Sequence, residues 1–279
     1  VKFGVALARL RPAFHVPVTL EAERLGFESV WMSEHLVFPV DMSGSPHPGE
    51  DSPPVPPSTP VFDAFAYLAF LAGCTERIRL GTNVYLLGLR HPFIAARAVQ
   101  TLDVLSSGRT ELGIGAGWLR QEFVAAGLDP RSRGRRLDEC LAVCKRLWTE
   151  EVVEHHGEFY DFGPVMFEPK PLQKPWPPIH VGGDSEAALR RAARHADGWY
   201  GLQTKPEGVA AQLARLRELR REAGREGERC EVTLGGSLRQ PDDIERWEEA
   251  GVDRLVVSPW RRSHEAIDGL RRYAEMIFG

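Results

Sequence analysis

Two hydrophobic rhythms alternate along this chain. Short apolar runs rich in β-branched and aromatic residues are each followed by a longer stretch with apolar positions three and four apart. The first kind reads as a strand, the second as an amphipathic helix. Residues 3–8 (FGVALA) predict a first strand, and residues 17–25 a helix stopped by Gly26. Residues 29–32 predict a second strand, 62–74 a helix, and 78–87 a third strand. Pro92 opens a helix that runs to Leu105, where a missing N–H costs nothing. Residues 109–114 predict a fourth strand and 133–149 a strongly amphipathic helix, with Leu137, Leu141, Cys144 and Trp148 on one face. The second half repeats the beat, with strands at 178–181, 198–201, 231–234 and 254–257. Helices follow them at 185–195, 209–222, 242–250 and 265–277.

Eight strand–helix units in this length predict an α/β chain folded as a (β/α)8 TIM barrel, one domain over residues 1–279. An open doubly wound sheet is the alternative. Two segments break the rhythm. Residues 40–60 form a long proline-rich loop after strand two, either a lid over the barrel mouth or a mobile loop. Residues 150–177, after the fourth helix, form an insertion region, and 152–162 within it alternate like a small hairpin around Gly157.

Composition narrows the function classes. The 279 residues are 43% hydrophobic and 27% charged, with a net charge of −4. No basic excess supports a nucleic-acid surface. No stretch resembles a leader or a membrane span, so a cytoplasmic, reduced protein is expected. The four cysteines form no Cys-x-x-Cys pair, and Cys140 and Cys144 read as buried thiols one turn apart.

In such a barrel, functional groups sit at the C-terminal strand ends. Those ends offer Ser33, Glu34 and His35; Thr82, Asn83, Val84 and Tyr85; Gly115, Ala116, Gly117 and Trp118; Gly182, Gly183, Asp184 and Ser185; Trp199, Tyr200 and Gln203; and Ser258 and Trp260. The set is aromatic and glycine-rich, suited to a flat ring. His35 reads as a proton donor or acceptor, or as a hydrogen-bond donor to a ring carbonyl. The plainer reading is a histidine bonded to backbone at the rim. Glu34 points the other way and ties down a loop. The turn Gly182–Gly183 precedes a helix with Ser185 near its N-cap, a seat for a phosphate or simply a tight turn. Metal catalysis is not expected, because the nine histidines do not cluster with acids on several strand ends. A serine hydrolase is not expected either, since no Gly-x-Ser-x-Gly elbow occurs.

These residues, in this order, resemble the bacterial luciferase-like superfamily, and most of all its coenzyme F420-dependent oxidoreductase branch. The resemblance spans nearly the whole chain. It rests on Glu34-His35, on residues 62–65 (FDAF), 77–84 (RIRLGTNV) and 90–92 (RHP), and on 101–109 (TLDVLSSGR) and 113–118 (GIGAGW). It continues through 134–139 (GRRLDE), 157–160 (GEFY), 178–185 (PIHVGGDS), 187–193 (AALRRAA) and 196–199 (ADGW). It implies a barrel, usually homodimeric, with a flavin or deazaflavin over the strand ends. It implies a cis peptide at Asn83–Val84 behind the ring, the cofactor phosphate at the turn 182–187, and His35 beside the ring. Cofactor contacts are then expected from Glu34, Thr82, Asn83, Val84, Gly115, Ala116, Gly117, Trp118, Gly182, Gly183, Asp184 and Ser185. Flavin-using members carry an arginine where Ala116 stands, which favours F420 over FMN. The sugar-phosphate dehydrogenases of the F420 branch have an acid where Trp118 stands and a tryptophan near Pro39, so their acid chemistry and substrate are not expected. The expected reaction is hydride transfer between F420 and a small organic substrate. The alternatives are an FMN-dependent monooxygenase and a non-catalytic flavin- or deazaflavin-binding protein.

Overall fold

The fold, taken from a computed structural model, is described for residues 1–8, 10–43, 55–202, 205–238 and 240–279. Eight parallel strands close into a barrel. They are β1 (Lys2–Ala6), β2 (Ser29–Met32), β3 (Arg79–Thr82) and β4 (Thr110–Ile114) in the first half. After the hairpin strands β5 (Val152–His156) and β6 (Asp161–Met166) come β7 (Ile179–Gly182), β8 (Gly198–Gly201), β9 (Glu231–Gly235) and β10 (Arg254–Val257). Parallel neighbours need crossovers, and helices supply them: α1 (His15–Leu25), α2 (Ala64–Cys74), α3 (Pro92–Leu105), α4 (Arg120–Ala125), α5 (Arg133–Thr149), α6 (Glu186–His195), α7 (Val209–Glu222) and α8 (Asp243–Glu249). A final helix, α9 (Ala266–Phe278), follows β10. The hairpin β5–β6 lies outside the barrel, so β4 pairs directly with β7.

Local sequence sets the helix ends. Asp63 accepts a hydrogen bond from the Ala66 amide at 2.8 Å and starts α2. Gly26, at φ 96°, ends α1 in the left-handed region that glycine tolerates best. On α5, Leu137, Cys140, Leu141, Cys144, Leu147 and Trp148 are buried against the barrel. Each leucine of that stripe contributes about 1.5–3 kcal/mol through removal of apolar surface from water. The Cys140 and Cys144 thiols donate to the carbonyls of Leu87 and Pro92.

Inside the barrel, Trp31 from β2 is fully buried and its indole N–H donates to Ser29 at 2.8 Å. Beneath it, at the N-terminal strand ends, lies a charged floor. Glu111 bonds His180 at 2.5 Å and pairs with Arg79, while Arg254 bridges Glu28, Glu231 and Glu111. Burial opposes the charge on Glu111, but the His180 hydrogen bond and the Arg254 and Arg79 charges prevail and hold its carboxyl at about 2.

Two elements differ most from those read in the sequence. The third strand is regular only through Thr82 rather than to Leu87; Tyr85 adds an isolated bridge to Ile114, and the chain then coils through Leu87–Leu89. Residues 120–125, between the fourth strand and the helix at 133–149, form the additional short helix α4, so the helix before the insertion is the fifth. Within the insertion, Glu139 holds the hairpin turn by accepting from the amides of Glu158, Phe159 and Tyr160 and by meeting His155 at 3.0 Å. Most of the proline-rich loop, residues 44–54, lies outside the described residues, and so does Gln203.

Candidate active site at the C-terminal strand ends

The ends of β3, β4 and β7 meet around one side chain. Val84 lies in contact with Gly115, where a Cβ would collide with its Cγ2. A Cβ on Gly182 would come within 2.7 Å of Val84 Cγ1. The two glycines therefore let Val84 sit flush against β4 and β7 and leave a surface without projecting side chains. The cis Asn83–Val84 bond expected from the resemblance is present. Beside it, Asn83 Nδ2 donates to the Tyr200 hydroxyl at 3.4 Å, and Asn83 Oδ1 is buried without a partner. Burial pushes the Tyr200 phenol up to about 12, so it stays a neutral hydroxyl. Thr82 is fully buried and its hydroxyl donates to the Gly113 carbonyl at 2.7 Å.

The second glycine turn is held from β8. The Gly183 amide donates to the Tyr200 carbonyl, and the Trp199 indole donates to the Gly183 carbonyl at 2.9 Å. Gly183 takes φ +108°, which a side chain there would resist. Asp184 accepts from the Leu202 amide at 2.9 Å, and Ser185 caps α6 by accepting from Ala188 N–H. The helix start leaves the other N–H groups of its first turn without intrahelical acceptors, a setting that favours an anion.

On the opposite rim, consecutive residues Glu34 and His35 find different partners. Glu34 turns inward, accepts from the Leu86 amide at 2.8 Å and pairs with Arg90. Burial drives its carboxyl pKa up, and Arg90 and the Leu86 amide only partly offset this. His35 turns toward α4, where its Nδ1 lies 2.9 Å from Glu122 Oε2. The ring stands 4.5 Å from the Phe38 ring and edge-on to Trp118 at 5.6 Å. Ala116 packs its methyl against the core.

The sequence profile of the luciferase-like monooxygenases matches residues 5–275. The chain belongs to that family. An uncharacterised protein from Mycobacterium tuberculosis is 35% identical over 261 residues, covering 92% of this chain and 91% of its own. An FMNH2-dependent dimethylsulfone monooxygenase of Pseudomonas putida is 35% identical over 150 residues, covering 53% of this chain and 41% of its own. The solved structure of an F420-dependent secondary alcohol dehydrogenase, in complex with an F420–acetone adduct, superposes with a TM-score of 0.80 at 18% identity. The match covers 99% of this chain and 98% of that one, and the two share the fold.

The described residues among those singled out in the sequence lie at the C-terminal strand ends and the segments after them, but not as equals. Glu34 and Thr82 have their polar atoms committed to protein partners. Glu122 is the residue that sequence reasoning missed: it is fully buried, and 87 positions separate it from His35. Its signal in the sequence was weak, for it closes a polar run, Arg120–Gln121–Glu122, set between the buried Leu119 and Phe123. Among the described residues, one group has metal-ligand geometry: Glu111, His180 and Glu231. It lies on the barrel floor, and the Arg254 guanidinium approaches Glu111 at 3.5 Å and Glu231 at 3.2 Å. A buried cation already neutralises those carboxylates, which makes a structural ion-pair network the better account.

Proposed function

We propose that this protein is a coenzyme F420-dependent oxidoreductase that transfers a hydride between the deazaflavin and a small organic substrate. The observation that carries this reading is Ala116, whose methyl stands where the resemblance puts the arginine of flavin-using members. Three features fit a flat ring with an anionic tail: the Val84 surface between Gly115 and Gly182, the orphaned Asn83 Oδ1, and the α6 N-terminus. Asn83, Val84, Gly115, Ala116, Gly117 and Trp118 would lie along the ring. Gly182, Gly183, Asp184 and Ser185 would hold the phosphate end. When bound, the deazaflavin supplies a carbon that carries a hydride. His35 would hold or release a proton at Nε2, and Phe38 and Trp118 would keep water from the ring.

FMN-dependent monooxygenation is the second reading, favoured by the Pseudomonas putida relative. The two readings separate at Ala116. Ala116→Arg should strengthen FMN binding relative to F420 by about tenfold or more, as one added charge-assisted phosphate contact is worth. Unchanged selectivity would remove Ala116 as the basis for preferring F420.

A homodimer belongs to the same proposal. Phe70, Ile94 and Leu105 on α2 and α3 are more than half exposed. Beside them, Phe65, Ala69, Phe93, Val165 and Phe167 line a groove of about 690 Å³. This groove is on the outer helical layer, away from the strand ends, and a second copy would cover it.

A further inference from the structure

We propose that Glu122 is a positioning residue that fixes the tautomer of His35, with the proton on Nδ1 and Nε2 turned to the ligand side. This rests on the proposed role of His35 at the cofactor. Oε1 of Glu122 accepts from two backbone amides, Leu36 at 2.5 Å and Val37 at 3.3 Å. Oε2 faces His35 Nδ1 at 2.9 Å. One carboxylate therefore holds both the ring and the chain that follows it.

An ionised carboxylate offers acceptors only, so the ring nitrogen facing it carries a proton. Nε2 then becomes the acceptor of a neutral ring. Among the described residues, nothing bonds Nε2. The ring cannot easily swing away, since Phe38 and Trp118 flank it. The anchor is itself firm, because Glu122 and its neighbour Phe123 on α4 are fully buried. Such a partner fixes ring orientation and tautomer.

The pairing is specific to a carboxylate. In Glu122→Gln, the amide oxygen can keep the Leu36 and Val37 amides while the NH2 group turns to His35. Nδ1 must then accept, and the proton moves to Nε2. Imidazole nitrogen shifts in protein labelled with ¹⁵N-histidine report this directly, with the His35 signals assigned by their loss in His35→Gln. The wild-type ring is expected to carry its proton on Nδ1, and the Glu122→Gln ring on Nε2. Turnover with F420 should fall about 10–100-fold, mainly in kcat. Glu122→Gln should cost nothing further in a His35→Ala background.

A wild-type ring protonated on Nε2 overturns the proposal, and that reading needs no variant to fold. An unchanged tautomer in a folded Glu122→Gln protein overturns it as well. A tautomer that switches while turnover is unchanged upholds the Glu122 assignment and instead removes His35 from the proposed reaction.

Discussion

Val84 and Gly115 touch so closely that a methyl group on the glycine has no room. Gly115→Ala should therefore push Val84 off its seat between β4 and β7. Overpacking of this kind costs about 1–3 kcal/mol. The loss should appear as a lower urea midpoint with an unchanged slope. Gly163→Ala, on β6 with nothing within 4 Å, should leave the midpoint nearly where it was. Equal effects from the two variants would mean that the close seat of Val84 matters little to stability.

Much of the barrel was legible because its signals are local. Residues 133–149, 198–201, 209–222 and 254–257 run as their apolar spacing predicts. The third strand was overextended because residues 84–87 (Val-Tyr-Leu-Leu) continue the apolar run. Only the ladder reveals that regular pairing ends at Thr82. The site was legible by halves. His35 and the two glycine turns stand at strand ends, where fold and position alone mark them. Glu122 was not legible, since its pairing with His35 joins separate elements. Likewise Glu111, His180 and Arg254 lie on three different strands, and no spacing links them before the barrel closes.

The barrel floor has a pH signature. The folded-state pKa of Glu111, about 2, lies below its ordinary value of 4.5. A depressed carboxyl stabilises fully above the unfolded value and loses that contribution as pH falls through the folded one. The shift corresponds to roughly 3 kcal/mol. Glu111→Gln should thus be less stable at neutral pH, by about that amount or more, with Arg254 and Arg79 left under-neutralised. The gap should narrow between pH 4.5 and about 2, as followed by urea unfolding at stepped pH. A gap constant across that window would deny Glu111 its role.

The outer face of α2 and α3 makes a different prediction. Ile94 is 63% exposed within an apolar patch. If a second copy covers that patch, Ile94→Glu buries an unpaired charge at the interface. Light scattering should then show a dimer for the parent and a monomer for the variant, with the barrel's circular dichroism intact. A parent that is already monomeric would rule out the second copy.

The central claim is that the strand-end surface around Val84 takes a deazaflavin. Titration of the purified protein with coenzyme F420 and, separately, with FMN, followed by fluorescence and heat, tests it most directly. F420 should bind at least about tenfold tighter, a preference of roughly 1.4 kcal/mol, and His35→Ala should retain most of that affinity. Tighter binding of FMN, or binding of neither, would contradict the account.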